Sequence, residues 1–292
     1  MGRGRFSQKR KPTTHDAVSV FEDPDVLLHE GDAWMVMRDM PDDCVDAIVT
    51  SPPYMDMRPE YPSPTFAEFH DIFTQGRRVC SGTLLLNVGR RWHDKVEQSW
   101  WIRLLAMVQT AGWEHRDTLI WIKPNANPIQ GEVLTNSHEY VFLFGEGFNT
   151  EAVRTEYASG SKERLERRWV SSISVKGDGP ERSGPRRDER RGERREANPD
   201  GARAKSYIEV HVGGEKGNKH PAPMPLQLAM HLVKLSGGRT ILDPFAGSGT
   251  TLLAARMLGL RAVGIELSPE YCQMMAERLG QQSLFAEGGT GG

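Results

Sequence analysis

Two short strings hold the residues best suited to chemistry. Ser51-Pro52-Pro53-Tyr54 offers a hydroxyl, a carbonyl set between two fixed rings and an aromatic face within four positions. Proline locks φ, so the Pro52 carbonyl is aimed before any ligand arrives. Acceptors held in this way suit an exocyclic nucleobase amine. The nitrogen lone pair of such an amine is delocalised into its ring and is a poor nucleophile. Taking up its N–H groups at the Ser51 hydroxyl and the Pro52 carbonyl draws the nitrogen toward tetrahedral geometry. Tyr54 supplies a face for a base removed from its stack. The second string runs from Asp243 to Thr251 and includes Phe245, Gly247, Ser248 and Gly249. Its glycines allow a nucleotide cofactor close to the backbone, at the start of a helix whose free N–H groups face the loop. Leu252 stands where a GxGxxG fingerprint would want its third glycine, and Glu266 follows about twenty residues after the loop, where an acid suits ribose hydroxyls.

Each string also has a plainer reading. Alone, Ser51 to Tyr54 is a double-proline strand exit with a packed tyrosine, and a glycine pair serves many ordinary strand–turn–helix units. Their flanks decide how much chemistry to read into them. Val45 to Thr50 is a short apolar run ending at the double proline, which predicts a buried strand with the serine at its C-terminal end. Further strands are expected at Thr83 to Val88, Thr118 to Ile122, Tyr140 to Phe144, Thr240 to Leu242 and Ala262 to Ile265. Helical spacing marks Phe66 to Val79, Trp100 to Gln109, Pro225 to Val233, Thr250 to Leu258 and Pro269 to Leu279. Strands and helices therefore alternate, and the expected fold class is α/β with a doubly wound, mostly parallel sheet.

Between the two halves of this pattern, the composition changes. Glu151 to Lys205 holds fifteen Lys and Arg against eleven Asp and Glu, in a chain of net charge −2. Any attraction to nucleic acid must come from such a local surface rather than from the molecule as a whole. Arg164, Arg167, Arg168, Arg186, Arg187, Arg190, Arg191, Arg194 and Arg195 could neutralise phosphates, and Trp169 could anchor the segment. An alternating Arg/Glu run is equally the mark of a self-paired, solvated insert. The organisation read from these changes is a flexible basic N-terminus at 1–22, a first half at 23–144, a partly disordered basic insert at 145–215, a second half at 216–284 and a flexible tail at 285–292. Cys44, Cys80 and Cys272 are few and far apart, so no metal site and no disulfide frame is expected, and a reducing cytoplasm fits. No apolar run follows the basic start, so no signal or membrane span is expected.

In this order, the proline loop first and the glycine loop last, the strings resemble the β group of S-adenosylmethionine-dependent DNA amino-methyltransferases. The resemblance covers the chain outside the first twenty residues, 145–204 and the tail. It implies a Rossmann-like methyltransferase fold, S-adenosyl-L-methionine as cofactor and double-stranded DNA as partner. It further implies that Ser51, Pro52, Pro53 and Tyr54 are catalytic, that Asp243, Phe245, Gly247, Ser248 and Gly249 line the cofactor, and that Glu266 holds its ribose. Asp32, after Gly31, resembles the acid that meets the cofactor adenine, and His220 to Pro225 resembles the segment holding its methionine end. The basic insert falls where this group carries its target-recognition region. A cognate restriction endonuclease and a monomer or homodimer are compatible with the resemblance.

Family members that modify adenine mostly carry Asp or Asn before the double proline, whereas Ser is typical of those acting on cytosine N4. Ser51 therefore points to N4 of a flipped cytosine, with adenine N6 as the alternative. Methylation of RNA or of a protein glutamine, and a non-catalytic DNA-binding role, are the remaining readings; the long basic insert has no use in glutamine methylation. A C5-cytosine mechanism needs a Pro-Cys nucleophile, and none of the three cysteines follows proline.

Overall fold

The computed structural model describes residues 18–53, 64–126, 134–154, 204–213 and 224–287. Its strands are β1 (Val18–Glu22), β2 (Val26–Glu30), β3 (Val45–Thr50), β4 (Cys80–Val88), β5 (Trp92–His93), β6 (Val96–Glu97), β7 (His115–Ile122), β8 (His138–Gly145), β9 (Tyr207–Glu209), β10 (Thr240–Asp243) and β11 (Arg261–Glu266). The helices are α1 (Ala33–Asp39), α2 (Phe66–Val79), α3 (Trp100–Thr110), α4 (Leu226–Ser236), α5 (Thr250–Met257) and α6 (Pro269–Glu287). By internal packing the chain divides into Met1–Asn149 with Ser206–Gly292, and Thr150–Lys205. The described part of the second unit includes one 3₁₀ turn, Glu151–Val153, beside which Arg154 pairs with Glu151. The arginines and Trp169 singled out in the basic insert lie outside the described residues.

In the first unit a nine-stranded sheet runs β1-β2-β11-β10-β3-β4-β8-β7-β9. Its centre is parallel, with β11 on β2, β10 on β11 and on β3, and β3 on β4. This is the mostly parallel α/β sheet expected from the alternating pattern. Both faces are covered. Ile48, Leu84, Leu86, Phe142 and Phe144 pack with residues of α1, α2 and α3 in one core. Ala47, Val49, Leu85, Val141 and Leu143 alternate with them and are also buried, so they belong to the other face. Gly238, which follows α4, approaches that face so closely that a Cβ would lie 2.8 Å from Ala47 Cβ.

The helices form where local signals are strong. α2 starts in a capping box: the Glu68 N–H donates to the Thr65 hydroxyl and the Thr65 N–H to the Glu68 carboxylate. Its buried Phe69, Ile72, Phe73, Gly76 and Val79 recur at helical spacing, and each large apolar side chain adds about 1.5–3 kcal/mol when withdrawn from water. The pairing of β10 with β3 is pinned by Asp46, whose Oδ2 accepts from the N–H groups of Arg239 and Thr240, both at 2.9 Å.

The sheet departs from parallel pairing at both ends, and at one edge β1 runs antiparallel to β2. β8 runs antiparallel to both β4 and β7. A parallel crossover needs a dozen or more residues, usually a helix, whereas the joint between β7 and β8 carries Pro124, Pro128 and Gly131 and no helical pattern. The strands therefore pair directly. The edge strand β1, which orders Val18–Glu22 against β2 where a flexible segment was expected, was not read from the sequence, nor were the short hairpin β5–β6 and the edge strand β9.

Candidate active site

The chain leaves β3 toward β4 and leaves β10 toward β11, so the two adjacent strands send their connections to opposite sides. A crevice opens beyond the carboxyl ends of parallel strands at such a switch point. The Ser51 loop follows β3 and the glycine loop follows β10, so the two strings, nearly two hundred residues apart in sequence, stand side by side. A direct hydrogen bond joins them: Thr50 Oγ1 donates to Asp243 Oδ1 at 2.7 Å.

Asp243 is 3% exposed. Its Oδ1 also accepts the Phe245 N–H at 3.1 Å. Burial pushes its carboxyl up to about 6, against the opposing pull of hydrogen bonds from Thr50, Thr251 and the Phe245 backbone. The resemblance implies that Asp243 lines the cofactor; in the structure its side chain bonds to Thr50 and to the Phe245 backbone and so braces the two loops.

The glycine loop is a tight turn. Gly247 and Gly249 sit at φ 54° and 75°, a region that side chains other than hydrogen strain to enter. Gly249 caps α5, and a Cβ there would lie 2.4 Å from Met275 Cγ on α6. Arg278, also on α6, donates to the Ser248 carbonyl at 2.8 Å and holds the turn from behind. Ser248 is buried, whereas Phe245 is half-buried and its ring meets Phe69 edge-on at 5.8 Å.

Glu266 stands at the end of β11. Its Oε2 accepts the Gly247 N–H and its Oε1 the Ser268 N–H, both at 2.8 Å, so the carboxylate ties two loops together. Each oxygen has more than one acceptor direction, which leaves the carboxylate compatible with hydroxyl ligands. Gly264, two residues earlier, was not singled out from the sequence. A Cβ there would lie 2.6 Å from Leu252 Cδ2, so the glycine admits α5 against the sheet. Leu252 occupies the position where the dinucleotide fingerprint has its third glycine, and Gly264 supplies the missing space.

Asp32 follows β2 and caps α1. Its Oδ1 accepts from the N–H groups of Trp34 and Met35 at 3.0 and 3.2 Å, while the Gly31 N–H donates to the Glu266 carbonyl at 2.9 Å. The Asp32 and Glu266 segments are thereby held together at neighbouring strand ends. Ser51 and Pro53 are half-buried and Pro52 is buried. Tyr54 and His220 to Pro223 lie outside the described residues. Ser51 has one contact that the sequence did not suggest: Asn87 Nδ2 lies 3.4 Å from its Oγ.

Cys80 and Cys272 are unsuited to nucleophilic chemistry, and Cys272 Sγ instead lies 3.5 Å from the Glu266 carbonyl. Burial pushes the Cys80 and Cys272 thiols up to about 11 and 12, well away from the thiolate form a nucleophile needs. Among the described residues no helix is long and apolar enough to cross a membrane.

Residues 45–277 match the N6/N4 methyltransferase family model, described as DNA methylase. The type II methyltransferase M.SmaI of Serratia marcescens is 27% identical over 300 residues, covering 85% of this chain and 89% of that protein. Among solved structures, the cytosine-N4-specific PvuII DNA methyltransferase superposes with a TM-score of 0.60 at 16% identity, covering 87% of this chain and 86% of that one. The TTHA0409 protein of Thermus thermophilus, complexed with S-adenosyl-L-methionine, gives a TM-score of 0.57 at 23% identity, with coverage of 87% and 95%.

Proposed function

The chain belongs to the N6/N4 family of DNA methylases, and from that premise we propose that it transfers a methyl group to the exocyclic N4 amine of a cytosine flipped out of duplex DNA. S-adenosyl-L-methionine is the cofactor; when bound, it supplies an electrophilic methyl on a sulfonium. The observation that carries the assignment of the site is the Thr50–Asp243 bond, which fixes the Ser51 loop against the glycine loop at the switch point. The glycine loop suits such a ligand: two residues of positive φ without side chains, a buried carboxylate behind them and Glu266 at the next strand end.

In this reading Gly247, Ser248 and Gly249 present backbone to the cofactor, Phe245 offers it an apolar face, Glu266 takes its ribose hydroxyls and Asp32 lies on its adenine side. Ser51 Oγ and the Pro52 carbonyl accept the two N–H groups of the target amine. Those bonds strengthen as the nitrogen becomes tetrahedral and its protons become more acidic, so they favour the transition state over the ground state. Tyr54 stacks on the flipped base. The basic insert supplies phosphate contacts and site choice.

The cytosine assignment rests on Ser51, since the enzymes of this family that modify adenine mostly place Asp or Asn there. Nucleoside analysis of DNA methylated by the protein tests it. N4-methyldeoxycytidine is the expected product, and N6-methyldeoxyadenosine would transfer the same mechanism to the other amine.

A further inference from the structure

A buried chain of polar groups runs from the rim of the sheet to the Ser51 hydroxyl. Asn87, near the end of β4, is 2% exposed. Its Nδ2 lies 2.9 Å from Glu139 Oε2 and 3.4 Å from Ser51 Oγ. Glu139 is at the start of β8, and its Oε1 meets Lys123 Nζ, just past β7, at 3.1 Å. The Lys123 and Glu139 side chains are 7% and 13% exposed. Lys123 also rests 5.5 Å over the Trp121 ring. Strands β4 and β8 and the residue after β7 thus contribute one group each, and the antiparallel β8 is what brings Glu139 beside Asn87.

The carboxylate decides which way the Asn87 amide faces. With Nδ2 toward Glu139, a proton lies between the two atoms. Turning the amide over would set its oxygen against a carboxylate oxygen, two acceptors with no proton to share. The orientation leaves Asn87 Oδ1 buried with no hydrogen-bond partner among the described residues. A buried carbonyl is seldom left so, and here it is what keeping the donor on Ser51 entails.

We propose that Asn87, its amide fixed by the Glu139–Lys123 pair, is a positioning residue that sets the hydrogen-bond polarity of Ser51. The amide donates to one lone pair of the serine oxygen and offers no acceptor to its proton. The second lone pair is then left for the target amine, and the hydroxyl cannot turn away from substrate to bond to Asn87. The 3.4 Å separation is long for such a bond, as is common before substrate tightens a site. This inference rests on the proposed amine methylation and adds to it the groups that prepare its acceptor.

The test uses the full-length protein, S-adenosyl-L-methionine and duplex DNA, in single turnover with enzyme in excess. Asn87→Leu keeps the side-chain volume and removes the donor. It should lower the transfer rate about tenfold or more while cofactor affinity by calorimetry stays within about twofold. Combined with Ser51→Ala, it should add almost nothing, since the oxygen it prepares is gone. Loss factors that multiply in the double variant, or a wild-type rate in Asn87→Leu, would overturn the proposal. Should Asn87→Leu lose its cooperative thermal transition, Glu139 carries the test. Glu139→Gln keeps an acceptor for Asn87 and should lose less rate than Glu139→Leu; equal rates in the two would contradict the fixed amide. A wild-type protein that transfers no methyl to DNA would refute the underlying activity instead, whereas an active wild type with an equally active Asn87→Leu would refute only this role.

Discussion

Thr50 Oγ1 and Asp243 Oδ1 lie 2.7 Å apart across 193 residues of sequence, and their bond directly joins the strand ends that carry the proline loop and the glycine loop. Thr50→Val keeps the shape and removes the donor, leaving Asp243 with its Phe245 and Thr251 contacts. A hydrogen bond to a buried charged group is worth about 1.5–3 kcal/mol, so the denaturant midpoint should fall accordingly. Turnover should fall more than cofactor affinity, because the valine frees the Ser51 loop while the glycine turn keeps its own backbone bonds. A variant equal to wild type in both stability and rate would remove the bond from the account.

The raised Asp243 carboxyl predicts a pH signature. Its folded value of about 6 lies above the ordinary 3.8, so between these values the folded state holds more proton than the unfolded state. Stability from this group is therefore highest below about pH 4 and declines as pH rises through 6, by something on the order of 3 kcal/mol in all. Asp243→Asn does not titrate. The stability of this variant minus that of wild type should climb between pH 4 and 7 in urea melts. A difference that stays level across that range would mean that Asp243 is not held out of water as the structure places it.

Gly249→Ala strains a backbone at φ 75° and drives a methyl group into Met275. Cofactor affinity should drop at least about tenfold, since the turn must open to relieve the clash. Calorimetry on the folded variant reads this directly. Unchanged affinity would show that the cofactor does not sit against the turn.

Much of this architecture was legible because its causes are local. The buried strand Val45–Thr50 and the helix Phe66–Val79 have the bounds their residues predicted, since an apolar run before a double proline and apolar residues at helical spacing act within a few positions. The β5–β6 hairpin was not legible. Its turn places Asp94 and Lys95 at φ 49° and 63°, without the glycine or asparagine that usually announces such a turn. The direction of β8 was also missed, because parallel and antiparallel strands buried on both faces have the same apolar run. That miss hid part of the site. Glu139 and Lys123 lie just outside the runs expected as strands, and only the antiparallel pairing brings Glu139 to Asn87 and Lys123 to Glu139. Thr50 likewise passed for a strand terminus, and Gly264 for a neutral strand residue, because the partners that explain them are distant in sequence.

The basic insert carries its own prediction, drawn from sequence and position. Deleting 177–204 should leave cofactor binding intact and weaken DNA binding. Each phosphate that is no longer neutralised should take roughly one unit off the slope of log affinity against log salt. An unchanged slope with full methylation would make the segment a spacer and move base reading elsewhere in the chain.

The central claim is that Ser51, beside the glycine loop, prepares a cytosine amine for methylation. Duplex DNA incubated with the protein and S-adenosyl-L-methionine, then digested to nucleosides and resolved by mass spectrometry, tests it most directly. The account predicts N4-methyldeoxycytidine from the wild-type protein and a loss of about tenfold or more in its rate of formation with Ser51→Ala, at unchanged cofactor affinity. Absence of any methylated nucleoside, or a Ser51→Ala variant that forms N4-methyldeoxycytidine at the wild-type rate, would contradict it.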